Sequence, residues 1–143
     1  MNLCVSSSTT CPTDTSIRTP HTDESVAYRV RGDWGVVGYT GDTGPSAEVA
    51  RFLAGCDVLV AECALTDPPT MERHLSPALV AELAGVAGPE LLVLTHVYPD
   101  QSPEEAAMRV SERYGGRVVA ARDGMRIVLG PAGPAVDPTT EAV

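Results

Sequence analysis

The chain has 143 residues, of which 43% are hydrophobic, 20% charged and 4% aromatic, a length that suits one ordinary domain and a composition that excludes collagen, a coiled coil and a wholly disordered chain. Ten basic residues, all Arg, stand against 19 acidic ones, for a formal net charge of −9. That balance excludes a broad nucleic-acid surface, which needs a basic face to displace counterions, but leaves room for a small phosphate-bearing substrate.

Residues 1–20 are rich in Ser, Thr and Pro without a period, and predict a flexible lead-in. Val26–Arg31 and Trp34–Tyr39 are short β-rich runs joined by Gly32-Asp33, a two-residue hairpin signal. Gly41-Asp42-Thr43-Gly44 breaks the pattern. Ser46–Ala54 has apolar residues at 49, 50, 53 and 54, a helical spacing that stops at Gly55. Asp57–Ala61 is a continuous apolar run of the buried-strand type. Ser76-Pro77 predicts an N-cap and first helical residue, with apolar positions 79, 80, 83, 84 and 87 carrying the helix to Gly88. Leu91–Thr95 is a second buried strand. Ser102-Pro103-Glu104-Glu105 combines N-cap, Pro and capping-box Glu, opening a helix that runs to about Tyr114 and stops at Gly115-Gly116. Arg117–Ala120 and Met125–Leu129 read as strands closing around Asp123-Gly124, and residues 131–143 as a Pro-broken flexible tail. The order β-β-α-β-α-β-α-β-β predicts a layered α/β domain over residues 21–130, with a mixed sheet because its first and last strand pairs are hairpin-like.

Four cysteines, at 4, 11, 56 and 63, are too sparse for a disulfide scaffold and too widely spaced for a zinc knuckle, so free thiols are expected. The N-terminus lacks a basic stretch followed by an apolar run, and no window approaches 18 uninterrupted apolar residues. The expectation is a cytoplasmic protein with no secretory signal and no membrane span.

The chemistry is confined to few residues. The histidines are His21, His74 and His96. His96 directly follows the strand LLVLT, Glu62 follows DVLVA, and Asp42 follows the Trp34–Tyr39 strand. A polar residue at the carboxyl end of a buried strand faces the crevice where α/β sheets bind ligands. Three strand ends thus present Asp, Glu and His toward one rim, a metal or acid/base constellation by position. For Asp42 a loop turn or helix cap is the competing reading, and for any lone His a structural role.

The ordered segments TGDTG, DVLVAEC, RHLSPALVAELA, LLVLTHV and VVAARDG, with HTDESVAYRV upstream, resemble the C-terminal half of a metallo-β-lactamase-fold hydrolase of the ribonuclease Z-like branch, over residues 21–129. The resemblance implies one half of an αββα sandwich, a mixed sheet with helices on one face. It implies His21 as a ligand of a first metal, Asp42 as the bridge between two, His96 as a ligand of the second, His74 as a non-ligand contact to the substrate phosphate or leaving group, and Glu62 as its supporting acid. Two Zn²⁺ ions are implied, with Mn²⁺ as the alternative, and a phosphodiester or other small-molecule substrate.

The family's His-x-His-x-Asp-His motif does not occur in the sequence. With two protein ligands per ion instead of the usual three, the chain alone is expected to bind metal poorly and turn over slowly or not at all. Its inner sheet face is expected to lie open, which suits a complementary N-terminal half or a second copy as partner. The alternatives are a non-catalytic binding or assembly module, and an unrelated doubly wound domain whose GDTG loop cradles a phosphate. The last lacks both glycine fingerprints and, with no Lys, the P-loop lysine.

Overall fold

A computed structural model describes residues 13–137. Strands β1 (Thr13–Arg18), β2 (Val26–Gly32) and β3 (Gly35–Tyr39) are followed by helix α1 (Ala47–Phe52), β4 (Val58–Glu62), α2 (Pro77–Ala87), β5 (Leu91–Thr95), α3 (Pro103–Tyr114), β6 (Val118–Ala120), β7 (Ile127–Gly130) and β8 (Gly133–Val136). Six strands form one sheet in sequence order, β1 to β6, while β7 and β8 form a separate two-stranded sheet. The β1–β2 and β2–β3 pairings are antiparallel, and β3–β4, β4–β5 and β5–β6 are parallel, so the sheet is mixed as expected. No described helix is long and apolar enough to cross a membrane.

The helices start and stop where their caps dictate. Ser46 Oγ accepts from Val49 N–H at 3.2 Å at the start of α1. Ser102 and Glu105 complete both bonds of the capping box at α3. Gly88 and Gly115 end α2 and α3 in the left-handed conformation. Ser76 takes the N-cap backbone conformation of α2, but its side chain makes no cap bond.

All three helices lie on one face. Val49, Val80, Leu83 and Val110 pack with Leu59, Ala61, Leu92 and Leu94 in one buried cluster. The alternate residues of the central strands, Val58, Val60, Leu91 and Val93, form a second cluster on the other face. That face was expected to lie open. It is covered in part by Ile127, Leu129 and Val136 of the β7–β8 sheet, and its four central residues are at most 3% exposed. Tyr28 and Tyr39, register partners across β2 and β3, remain 44% and 41% exposed.

Four features differ from the sequence reading. Thr13–Arg18, within the expected lead-in, is strand β1, because it pairs with β2 along its whole length and sets Ile17 against the helix-side core; residues 1–12 lie outside the described part. Gly133–Val136, within the expected tail, is strand β8. The turn at Asp123-Gly124 exists, with Met125 N–H bonded to Arg122 C=O, but it does not close a β6–β7 hairpin. Instead β7 leaves the sheet and pairs with β8, burying Ile127 and Leu129 over the second cluster. In the β2–β3 hairpin, Gly32 faces Gly35 in register, so the two turn residues are Asp33 and Trp34, one position later than expected. Cys56 and Cys63 are free and buried; Cys4 and Cys11 lie outside the described residues.

Candidate active site

The β1–β2 turn and the carboxyl ends of β3, β4 and β5 open on the same edge of the sheet, because β1, β3, β4 and β5 all run in one direction. His21 sits in the turn, Asp42 just beyond β3, Glu62 at the end of β4, and His96 immediately after β5. His74 arrives from the loop before α2. The five residues singled out in the sequence meet here.

Glu62 is the anchor. Its side chain is 1% exposed, and its carboxylate accepts four N–H bonds. Oε1 accepts from Thr43 N–H at 2.9 Å and from His74 Nδ1 at 2.8 Å; Oε2 accepts from Ala64 N–H and Leu75 N–H, each at 3.2 Å. A buried carboxylate is costly unless such donors compensate it. Three of the four neighbours are backbone N–H groups that can only donate, and a carboxylate can only accept, so the tautomer that fits places the Nδ1 proton of His74 on the Glu62 side. His74 Nε2 faces the other way, 3.4 Å from Tyr98 Oη.

The rings crowd around His74. Its centroid lies 4.7 Å from His21 in an edge arrangement, 5.4 Å from His96 in a stack and 5.6 Å from Tyr98; His96 and Tyr98 are 5.2 Å apart. His96 Nδ1 stands 4.0 Å from Asp42 Oδ1, and His21 Nδ1 is 3.1 Å from Ser25 Oγ. Among the described non-glycine residues, His96 alone has a positive φ, 54°. A left-handed conformation in a bulky residue costs energy and is retained where the surroundings over-determine it.

Backbone ties hold the rim in place. Thr40 N–H donates to Val60 C=O, and Thr40 Oγ1 accepts from Glu62 N–H at 3.1 Å. Thr19 Oγ1 donates to Asp42 C=O at 2.7 Å. Cys63 N–H donates to Thr95 C=O and Tyr98 N–H to Ala64 C=O, which fastens the β5 exit to the β4 exit. Gly44 packs so closely that an added Cβ would stand 2.0 Å from the Glu72 carbonyl oxygen and 3.1 Å from that of Pro20. An open cavity of about 580 Å³, lined by residues 19–24 and Arg73, adjoins His21.

Thr19, Thr40, Thr43 and Tyr98 were not singled out in the sequence. Tyr98 carried one weak signal, its place two residues after His96. Cys63, beside Glu62, is held protonated: burial, then the Glu62 charge, push its thiol up to about 12.

The donor kinds at the rim suit a divalent metal such as zinc, with imidazole and carboxylate among them. Their number and spacing do not. Among the described residues no three His, Cys, Asp or Glu side chains converge tightly enough to hold an ion. His74 has Nδ1 bonded to Glu62 and Nε2 3.4 Å from Tyr98 Oη.

A family model described as "Beta-lactamase superfamily domain" matches residues 4–97. Ribonuclease Z of Aeropyrum pernix is 35% identical over 99 residues, covering 65% of this chain and 32% of that protein. The chain spans about a third of the length of the curated relatives it matches. Among solved structures, the metallo-beta-lactamase fold protein YhfI from Bacillus subtilis superposes with a TM-score of 0.72 at 25% identity, over 78% of this chain and 47% of that one. Human tRNase Z, short form, gives a TM-score of 0.63 at 21% identity, over 83% and 44%.

Proposed function

The chain belongs to the beta-lactamase superfamily domain family, and from that premise we propose that it forms part of a metal-dependent hydrolase of phosphodiesters, similar in kind to ribonuclease Z. The observation that carries this reading is the Glu62–His74 pair, set between His21 and His96 on the rim that also bears Asp42.

Phosphodiester cleavage needs a proton for the leaving oxygen. His74 is built to give one. Glu62 holds Nδ1, so a proton carried on Nε2 would face the rim. Asp42, His96 and His21 would supply a share of the ligands of a divalent ion, zinc or alternatively manganese, which would polarise the phosphoryl group and activate water. The remaining ligands come from a complementary N-terminal half or a second copy.

Metal titration of the purified chain tests this. Zinc or manganese affinity is expected to fall in Asp42→Ala and His96→Ala and to stay nearly unchanged in His74→Ala. Equal effects on affinity from all three, or from none, would reject the assignment. A second reading, a module that pairs without catalysing, is favoured by the lack of a three-donor cluster among the described residues. It predicts complex formation with metal affinity indifferent to Asp42 and His96.

A further inference from the structure

We propose that the cavity beside His21 is a subsite for a sugar phosphate: Arg73 takes a phosphate other than the one cleaved, and Asp23 and Glu24 take the sugar hydroxyls. The inference rests on the phosphodiesterase reading above and adds a substrate class to it.

The cavity measures about 580 Å³, within the range that holds small ligands. Asp42, His74 and His96 do not line it. A group held there is therefore a flanking part of the substrate, at the His21 end of the rim.

Three charged side chains line the cavity, those of Asp23, Glu24 and Arg73. None of them makes a hydrogen bond or ion pair with a described residue, so no ion pair joins Arg73 to either carboxylate. A guanidinium stays charged and presents a planar fork of donors that matches phosphate oxygens. Ionised carboxylates only accept hydrogen bonds, and hydroxyls are the donors that an anionic ligand can offer them. A bare phosphate would meet the repulsion of two carboxylates. A phosphorylated, polyhydroxylated ring satisfies all three side chains.

The segments that carry these charges are set in place beforehand. Gly44 pins both: its N–H donates to Pro20 C=O at 3.1 Å, and it packs against the Glu72 carbonyl just before Arg73. On the other side of Arg73, His74 Nδ1 and Leu75 N–H are bonded to Glu62 at 2.8 and 3.2 Å. The 19–24 loop is closed by Thr19 N–H on Ser25 C=O at 3.0 Å and by the Arg18 guanidinium on Asp23 C=O. Such preorganisation cuts the ordering cost of binding.

The test is a titration of the full chain, without added metal, with ribose 5-phosphate and separately with inorganic phosphate, followed by NMR of the backbone amides of residues 21–24 and of Arg73 Nε–H. Ribose 5-phosphate at millimolar concentration should shift both sets. Arg73→Gln removes a charge-assisted contact and should raise its dissociation constant about tenfold. The Asp23→Asn, Glu24→Gln double variant distinguishes contact from a structural role. It should weaken ribose 5-phosphate and tighten inorganic phosphate, because the sugar loses its charged acceptors while the bare anion loses a repulsion. An Arg73→Gln curve that overlays the wild type overturns the proposal. So does a double variant that moves both ligands in the same direction, or a wild-type titration that leaves the 21–24 amides unmoved. The phosphodiesterase reading falls separately, if metal affinity ignores Asp42 and His96.

Discussion

Replacing Glu62 by Gln exchanges one acceptor oxygen for an NH₂ group while keeping the side-chain shape. The carboxylate accepts two N–H bonds on each oxygen. If the amide nitrogen takes the Oε2 place, Ala64 N–H and Leu75 N–H face a donor. If it takes the Oε1 place, Thr43 N–H does so and His74 loses the acceptor of its Nδ1–H. Either way two buried donors are orphaned, at about 1.5 kcal/mol or more each for bonds to a charged group, so Glu62→Gln should cost about 3 kcal/mol. That is a large part of the ~5–15 kcal/mol typical of a domain. With a urea m-value of about 2 kcal/mol/M, the midpoint should fall by about 1.5 M with the slope unchanged. Asp42→Asn is the control: its side chain is 38% exposed and should cost less than about 1 kcal/mol. A fall in the Glu62→Gln midpoint of under about 0.5 M would refute the account of Glu62 as a four-bond anchor.

Gly44→Ala should destabilise the fold by about 2 kcal/mol and displace the His21 and His74 resonances, because its Cβ meets two backbone carbonyls that no rotamer change can move; an unchanged melting temperature would contradict this. Burial raises the Cys56 thiol to about 11 and the Cys63 thiol to about 12, so peptide-resolved iodoacetamide labelling at pH 8 should be much slower at both than in urea. The unfolded thiols ionise first, near pH 8.5, so these groups leave stability untouched below that pH. They erode it by roughly 1 kcal/mol per pH unit per thiol above it, and a flat urea midpoint from pH 8 to 10 would oppose the assignment. Ile127→Asp puts a carboxylate against Val58, Val60, Leu91 and Val93 and should raise dye binding by exposed apolar surface; unchanged dye fluorescence and stability would show that β7 does not cover that face.

The rim was legible because each element beside it announces its own end. DVLVA and LLVLT are too apolar to be anything but buried, so the polar residues that follow them had to sit at strand ends. Pro77 and Gly88, and the Ser102–Glu105 box, fixed α2 and α3 by the chemistry of orphan backbone groups. What escaped was set by distant partners. In β1 the Ser and Thr content masked strand character that only the β2 pairing reveals. The Gly and Pro of β8 read as breakers, yet the strand is held by β7. The compensation of Glu62 comes from the backbones of Thr43, Ala64 and Leu75, which no side-chain pattern encodes. Tyr98 reads as a loop aromatic until its tie to Ala64 turns it onto His74.

The large sheet is laid down in chain order, each strand beside its predecessor. The rim is therefore collinear with the polypeptide: His21, Asp42, Glu62 and His96 follow one another across the edge as they do along the sequence, at steps of one or two strand spacings, each about 4.8 Å. The connections that carry these residues are also tied to one another, Thr19 to Asp42, Thr43 and Leu75 to Glu62, and Tyr98 to Ala64, so a lengthened or shortened connection reaches its neighbours on the edge through the Glu62 anchor.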